Sequence, residues 1–523
     1  MKRTLMVLTV ALNCSILFSQ TLFDALKTSD NDIIGTARYS SMAGAFGALG
    51  GDPSAIKDNP AGLGIYRKSE LTLTADALMQ KNSSVWNEHS ANDNKYNVGV
   101  NNFAFVLALP TWRSNNGYNG FLSSNFSFSY NKLKNFNRNV NIKSNEASSS
   151  MTDYFGYFTG KLSDNDLEWD NYPQYGYDSA FDNTDLPWMS VMAHYGRLIS
   201  PYNDPNTGEL IEWTSFLDQG EQVTPSYMLQ EQGSINEYAL GWSGNFSNRF
   251  YIGATLNFQS INYRSDSKYN EAFGNGGGMT LDNTVTTTGN GVNLNLGAIL
   301  VPVDFMRIGL ALHTPMFYSL TTYNYSTLSF NSSVNGNVDS PENYVDYQLQ
   351  SPLQFNVSAA YIVDKKGLIS AEYVFNNYRG MKLLDKNGNS QDYEADNEDI
   401  NSMLNNARTI KIGGEYKLTD NFSLRAGYAN TSSITKTDAT KWMIPNTART
   451  DPEFFLNNRT DYITAGFGYR EANWYLDFAY MNKVLDENYF AYNSSNMNPD
   501  YATNPADVKT TNNNIVFTFG LRF

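Results

Sequence analysis

The chain reads as an all-β protein, an antiparallel 14-stranded β-barrel of the outer-membrane type, on three observations. Fourteen short runs alternate apolar and polar residues, the connections between them are short on one side and long on the other, and the final run ends on phenylalanine. In "NFAFVLAL", Phe103, Phe105, Leu107 and Leu109 share one face; in "EYALGWSGNF", Tyr238, Leu240, Trp242 and Phe246 do so. Further runs lie near 71-78, 119-130, 250-260, 290-300, 305-312, 353-363, 367-375, 408-416, 421-429, 461-469, 473-481 and 513-523.

Tight connections at 247-249, 302-304, 364-366, 419-421 and 471-473 alternate with long polar ones near 265-288, 321-351, 379-407, 432-459 and 484-511. That segregation marks an oriented meander, with periplasmic turns and external loops. In the last strand Ile515, Phe517, Phe519, Leu521 and Phe523 form one apolar face, like the C-terminal recognition strand read by the barrel-assembly machinery.

Composition agrees. The 523 residues include 35 Tyr and 31 Phe, and mean hydropathy is -0.44, too polar for a helical membrane protein. Past the N-terminus no apolar stretch reaches the ~18 residues of a membrane helix. At the N-terminus, Lys2 and Arg3 precede an apolar run from Leu5 to Phe18 and then Ser19-Gln20, a secretory signal over 1-19 with cleavage expected after Ser19. The one cysteine, Cys14, lies inside it, so the mature chain has none and relies on a large core or a closed sheet. Its 35 basic and 52 acidic residues give a charge of -17, which argues against nucleic acid or an anionic membrane surface as partner.

One early stretch departs from the β pattern. In "GALGGDPSAIKDNPAGLGIY" Asp52 is a good N-cap and Pro53 a good first helical residue, and Asn59-Pro60 reads as the stop. "DPSAIKDNPAGL" resembles the N-terminal hatch of the FadL/OmpP1/TodX family of hydrophobic-compound transporters, with its Asn-Pro-Ala motif at Asn59, Pro60 and Ala61, followed by Gly62. "RIGLALHTPMFYSL", "TIKIGGEYKLTDNFSLRAGYANT" and "YITAGFGYREANWYLDFAYM" resemble strands and hairpins of that family. "ARYSSMAGAFGALGGDPSAIKDNPAGLG" resembles Bacteroidetes-type members, some labelled hemin receptor.

The resemblance implies a hatch over 20-69 plugging a barrel over 70-523 in the outer membrane of a Gram-negative bacterium. It also implies passive uptake of hydrophobic small molecules, of long-chain fatty acid or aromatic type, by hatch movement and lateral diffusion into outer-membrane lipid. Such a role calls for an apolar pocket running from loop crown to hatch and a break in the wall near the third strand. Asn59 and Pro60 either only shape the turn or, through a backbone hydrogen bond from Asn59, hold the closed hatch, and Ser123-Ser124 interrupt the alternation of the third strand as a harmless bulge or as the kink of a gate. A monomer is expected. The alternatives are a heme-binding receptor and an accessory barrel in a secretion complex.

An insertion at about 135-234 departs from the ordinary barrel pattern, and within it "LPWMSVMAHYGRLI" is apolar enough for an amphipathic helix on the loop crown, which either covers the barrel mouth or lines a ligand entrance with Trp188, Met192, His194 and Tyr195 as contacts. A heme reading would draw axial ligands from Met192, His194 and Tyr195. Otherwise no cofactor or metal is expected, the acidic runs at 163-171 and 385-394 reading as solvated loops or an Asn-Gly turn. Enzymatic readings fail on motif. His313 faces the lumen with no serine motif beside it, and "GWSGN" is not a nucleophile elbow.

Overall fold

A computed structural model describes residues 21-112, 119-147, 149-168, 179-218, 220-274, 276-364, 366-444 and 447-523; the segment read as a secretory signal and its expected cleavage site fall outside them. Fourteen antiparallel strands among the described residues close into a barrel. They are β1 (Glu70–Trp86), β2 (His89–Pro110), β3 (Phe121–Asn135, continued as Arg138–Lys143), β4 (Val223–Phe246), β5 (Phe250–Phe273), β6 (Gly278–Val303) and β7 (Met306–His313, continued as Phe317–Asn331). They continue with β8 (Asn343–Gln350, then Leu353–Val363), β9 (Gly367–Asn377), β10 (Ala407–Lys417), β11 (Phe422–Thr431), β12 (Phe454–Arg470), β13 (Trp474–Phe490) and β14 (Ala506–Arg522). Each of the fourteen alternating runs falls on one strand. Closure pairs β1 with β14 from Glu70↔Arg522 to Val85↔Asp507.

Alternation holds where one face meets lipid. On β14, Ile515, Phe517, Phe519 and Leu521 are all exposed while Val516 and Thr518 are fully buried against the interior. An even strand number returns the C-terminus to the side of the first strand, and Ser69 and Phe523 exchange both backbone hydrogen bonds there (3.2 and 3.1 Å).

Three connections read as loops are extensions of the sheet. The stretch at 265-288 is a hairpin in which β5 and β6 stay paired to Ala272↔Gly278. Residues 321-351 carry the outer halves of β7 and β8, which resume beyond Pro315 and before Pro352. The insertion is shorter than 135-234, because Arg138–Lys143 and the outer part of β4 pair from Arg138↔Glu231 to Lys143↔Ser226. Above the hydrocarbon neither strand face meets lipid, so runs such as "TVTTTGN" keep β-branched residues but lose the apolar face that marks a strand.

What remains of the insertion, with the other outer loops, caps the barrel. Helices α3 (Met151–Thr159) and α4 (Trp188–Tyr195) and the hairpin Ile199–Asn203/Leu210–Ser215 pack over one core that includes Trp86, Tyr154, Trp213 and Tyr489. Helix α3 starts on a capping box, Ser150 and Asp153 exchanging hydrogen bonds with each other's backbone.

The N-terminal segment fills the lumen. Helix α1 (Leu22–Ser29) lies high, against the outer-loop helix α5 (Glu394–Met403); α2 (Ala37–Ser41) and two 3₁₀ turns, Pro53–Ile56 and Pro60–Ile65, lie low. Asn59-Pro60 therefore opens a second turn rather than stopping the first. The chemistry repeats: Asp52 accepts from Ser54 N (2.9 Å) before Pro53, and Asn59 accepts from Ala61 N (3.1 Å) before Pro60.

On α5, burial, then Asp399, then Asp24 of α1 push the Asp396 carboxyl up to about 7. A folded value above the unfolded one means that protonation favours the docked helix: that stabilisation is complete below about pH 4 and is lost as pH rises through about 7. Hydrogen exchange of α5 is expected to slow between about pH 8 and 6 beyond the intrinsic rate change, and Asp396→Asn to show the slowed exchange at both. An unchanged pH response in Asp396→Asn would remove this assignment.

Candidate functional site

The hatch rests on a wall made thin for it. Lumen-facing glycines on six strands meet hatch atoms so closely that an added Cβ would lie 2.4 Å from Pro60 C at Gly253, 2.0 Å from Asn59 Oδ1 at Gly297 and 2.4 Å from Gly47 O at Gly309. At Gly413 and Gly427 it would meet Met42 backbone at 2.6 and 2.4 Å, and at Gly466 Ser41 Cβ at 2.6 Å. Gly253 and Gly297 are direct cross-strand partners, as are Gly413 and Gly427. Asn59 Nδ2 donates to Gly47 O (2.7 Å) and, across to the wall, to Ala298 O (3.3 Å), and His313 of β7 contacts Asp58 O (3.0 Å).

Buried ion pairs tie hatch to wall at several heights. Glu415 takes Arg38 (2.9 Å) and Arg425 (2.7 Å), and Arg425 continues to Asp477 (2.6 Å). Lys411 reaches Asp58 (3.3 Å) and Glu372 (3.0 Å), whose other oxygen accepts from Gly47 N (2.8 Å). Higher up, Lys483 pairs with Asp32, Lys134 with Asp30 (2.5 Å) and Lys27 with Glu231 (2.6 Å). Such pairs add little net stability over apolar packing, but breaking one strands a buried charge, so they fix where the hatch sits.

Above the lower part of the hatch, and walled in part by α1, lies a cavity of about 220 Å³; a smaller one of about 160 Å³ shares Asp30 and Asp32 with it and reaches the hatch residues Lys57 and Asp58. The upper cavity is not the apolar pocket that sequence suggests. Paired charges such as Lys27–Glu231 and Lys441–Asp451 (2.9 Å) line it together with the rings of Phe23, Phe136, Tyr227, Phe454 and Phe455.

The wall beside this cavity is incomplete. β2 and β3 pair only from Pro110↔Ser123 to Asn102↔Asn131, while β2 runs on to His89 paired with β1 alone. Beyond Asn131, β3 pairs with β4 and turns inward, so that Asn141 O accepts from the lumen-facing Ser84 Oγ (2.6 Å) and Asn139 N donates to Gln80 Oε1 (3.3 Å). Side chains bridge the resulting slot. Asn135 Nδ2 donates to Asn97 Oδ1 (3.2 Å), Lys95 Nζ donates to Glu231 O (2.9 Å), and the Lys132 ammonium lies against Gly99, 2.4 Å from where a Cβ would stand.

The outward residues of β2 along the slot, Tyr96, Val98 and Val100, are exposed and continue the row of Phe103, Phe105, Leu107 and Leu109. A bulge opposite Thr74/Ala75 keeps both sets outward, so the lower slot opens at hydrocarbon level. The slot lies above Ser123-Ser124. There β3 still pairs on both sides, and the break in alternation comes from a bulge at Leu122.

In the crown, Trp188 and Met192 are buried in the core at 4% and 1% exposure, His194 pairs with Asp164 (3.0 Å) and stands edge-on to Trp213, and Tyr195 is exposed. Asp385 accepts from the backbone of Asn387 (2.9 Å) and Asn389 (2.7 Å) around the Gly388 turn, and among the described residues no acidic or histidine group has a metal-binding arrangement.

Comparison with known proteins agrees with this architecture. Residues 238–523 match the family model of the outer membrane protein transport protein (OMPP1/FadL/TodX). The chain belongs to that family. Solved structures similar to this FadL/TodX-family chain include a TodX deltaS2S3 mutant monoaromatic hydrocarbon channel, with TM-score 0.51, 12% identity and coverage of 94% of this chain and 99% of that one. A FadL homologue from Pseudomonas aeruginosa matches with TM-score 0.50, 13% identity and coverage of 94% and 99%. At these identities the likeness shows the fold. No curated protein sequence matches. Family and fold make this an outer-membrane transport barrel for hydrophobic compounds.

Proposed function

We propose that the barrel takes up hydrophobic small molecules passively, releasing them from the lumen sideways through the slot between β2 and β3 into the outer leaflet, while the lower hatch stays seated. The unpaired stretch of β2 carries this reading. An open sheet edge at hydrocarbon depth leaves backbone groups without partners, a cost a closed barrel avoids, so a wall that breaks there serves something that passes. Transfer needs no energy source, because each Å² of apolar surface leaving water for hydrocarbon contributes about 25 cal/mol.

Long-chain and aromatic molecules both suit the route. Mature folding after cleavage near Ser19, and assembly as a monomer through the strand ending at Phe523, complete the proposal. The accessory-barrel reading gives no role to a breached wall. The heme reading would have to use a His194 already held by Asp164 and a Met192 inside the core.

The test is initial uptake of radiolabelled oleate and of toluene by an outer-membrane host expressing the chain. Uptake above the empty host for at least one probe is expected; rates equal to the empty host for both would end the transport reading.

A further inference from the structure

We propose that the upper lumen cavity binds an organic cation with a hydrophobic body, an amine or quaternary ammonium, anchored by Glu453. The inference rests on the lumen being the transport route, and its own support is the charge balance of the cavity wall. Six cationic side chains line the cavity and together they engage six carboxylates: the Lys27, Lys134, Lys441 and Lys483 pairs above, Arg138 with Glu487 (2.8 Å), and Arg449 with Asp24 (3.4 Å) as well as with the Asp451 it shares with Lys441 (2.6 Å). Seven carboxylates line it. The one left over is Glu453.

Glu453 is 8% exposed and sits just before β12. Its Oε1 accepts from Ser267 Oγ (2.8 Å), and its Oε2 is buried with no hydrogen-bond partner. Lys441 stands near but is committed elsewhere, donating to Asp451 Oδ2 (2.9 Å) and to the Glu453 backbone carbonyl (3.4 Å) rather than to its side chain. A buried carboxylate with a vacant oxygen is costly unless a donor or cation reaches it. Phe454, Phe455 and Tyr227 line the same cavity and give apolar surface for the body of a ligand. An anionic head would find every cation already paired and would face Glu453. A neutral head would leave the charge unmatched.

Three probes with one body separate these cases: 4-phenylbutylamine, 4-phenylbutanol and 4-phenylbutyrate, titrated calorimetrically into the native protein in lipid nanodiscs at about pH 8, where the amine is charged. The amine is expected to bind about tenfold or more tighter than the alcohol, with the carboxylate weakest. Glu453→Gln is expected to abolish the preference for the amine while leaving the alcohol unchanged. Equal affinities for amine and alcohol, no binding by any of the three, or an amine preference surviving Glu453→Gln would overturn the site. The first comparison uses the native protein, so it stands even if the variant folds poorly. Amine-selective binding without uptake would leave the site and remove the transport reading; uptake of oleate or toluene without amine selectivity would do the reverse.

Discussion

Replacing Gly297 by valine is expected to unseat the hatch and turn a plugged barrel into a leaking one. The added Cβ would stand 2.0 Å from Asn59 Oδ1 and 2.9 Å from Pro60 Cδ, and neither neighbour has room to retreat. Asn59 caps the second 3₁₀ turn, holds Gly47 O and reaches Ala298 O, so displacing it removes three hydrogen bonds together. A lost cap costs about 1 kcal/mol, and overpacking a filled seat adds about 1–3 kcal/mol. The opposing strand leaves no slack, since Gly253 faces Gly297 and is itself pressed on Pro60. In planar bilayers the variant is expected to show steady ion conductance where the native protein shows little. Gly414→Val is the control: its added Cβ would meet nothing nearer than Leu368 O at 3.6 Å, and it is expected to be silent. If the two variants conduct alike, the glycine seat does not hold the hatch.

The sequence makes the barrel legible because lipid imposes a period of two on every strand at hydrocarbon depth. That is why all fourteen runs land on strands, down to the last alternation at Phe523. Outside the hydrocarbon the imprint fades: "TVTTTGN" at 284-290 is part of a long strand and looks like a loop. Hatch chemistry is half legible. Asp52-Pro53 and Asn59-Pro60 are the same N-cap and N1 pair, and recognising the repeat shows two turns where a single reading sees a start and a stop.

The slot is hidden because pairing, not periodicity, makes it; the nearest signal is the doubled Asn101-Asn102, where one extra residue keeps Val100 and Phe103 on the same face. The ion pairs are hidden for a different reason. Lys411 and Asp58 lie 353 positions apart, and nothing local in either segment names the other. The apolar pocket expected from kinship fails on the same ground, since the charges lining the lumen are spread over many strands.

Locking the slot between β2 and β3 is expected to stop transport while leaving barrel and hatch intact. Asn97 and Asn135 face each other across it with amide atoms 3.2 Å apart, close enough for a short bifunctional thiol reagent to join the pair Asn97→Cys and Asn135→Cys. The only native cysteine is Cys14, in the segment read as a cleaved signal, so the reagent has no other target in the mature chain. The pair gives up the Asn135–Asn97 hydrogen bond and the two that Asn137 donates to Asn135 Oδ1 (3.1 and 2.7 Å), at about 1 kcal/mol each, small beside a closed barrel. The deciding measurement is the initial uptake rate of whichever of oleate and toluene the native protein carries, in the double-cysteine variant treated with a cleavable bis-thiosulfonate, before and after reduction. Lateral release requires uptake to fall to the empty-host rate on crosslinking and to recover on reduction; uptake that continues at the uncrosslinked rate through a sealed slot would contradict it.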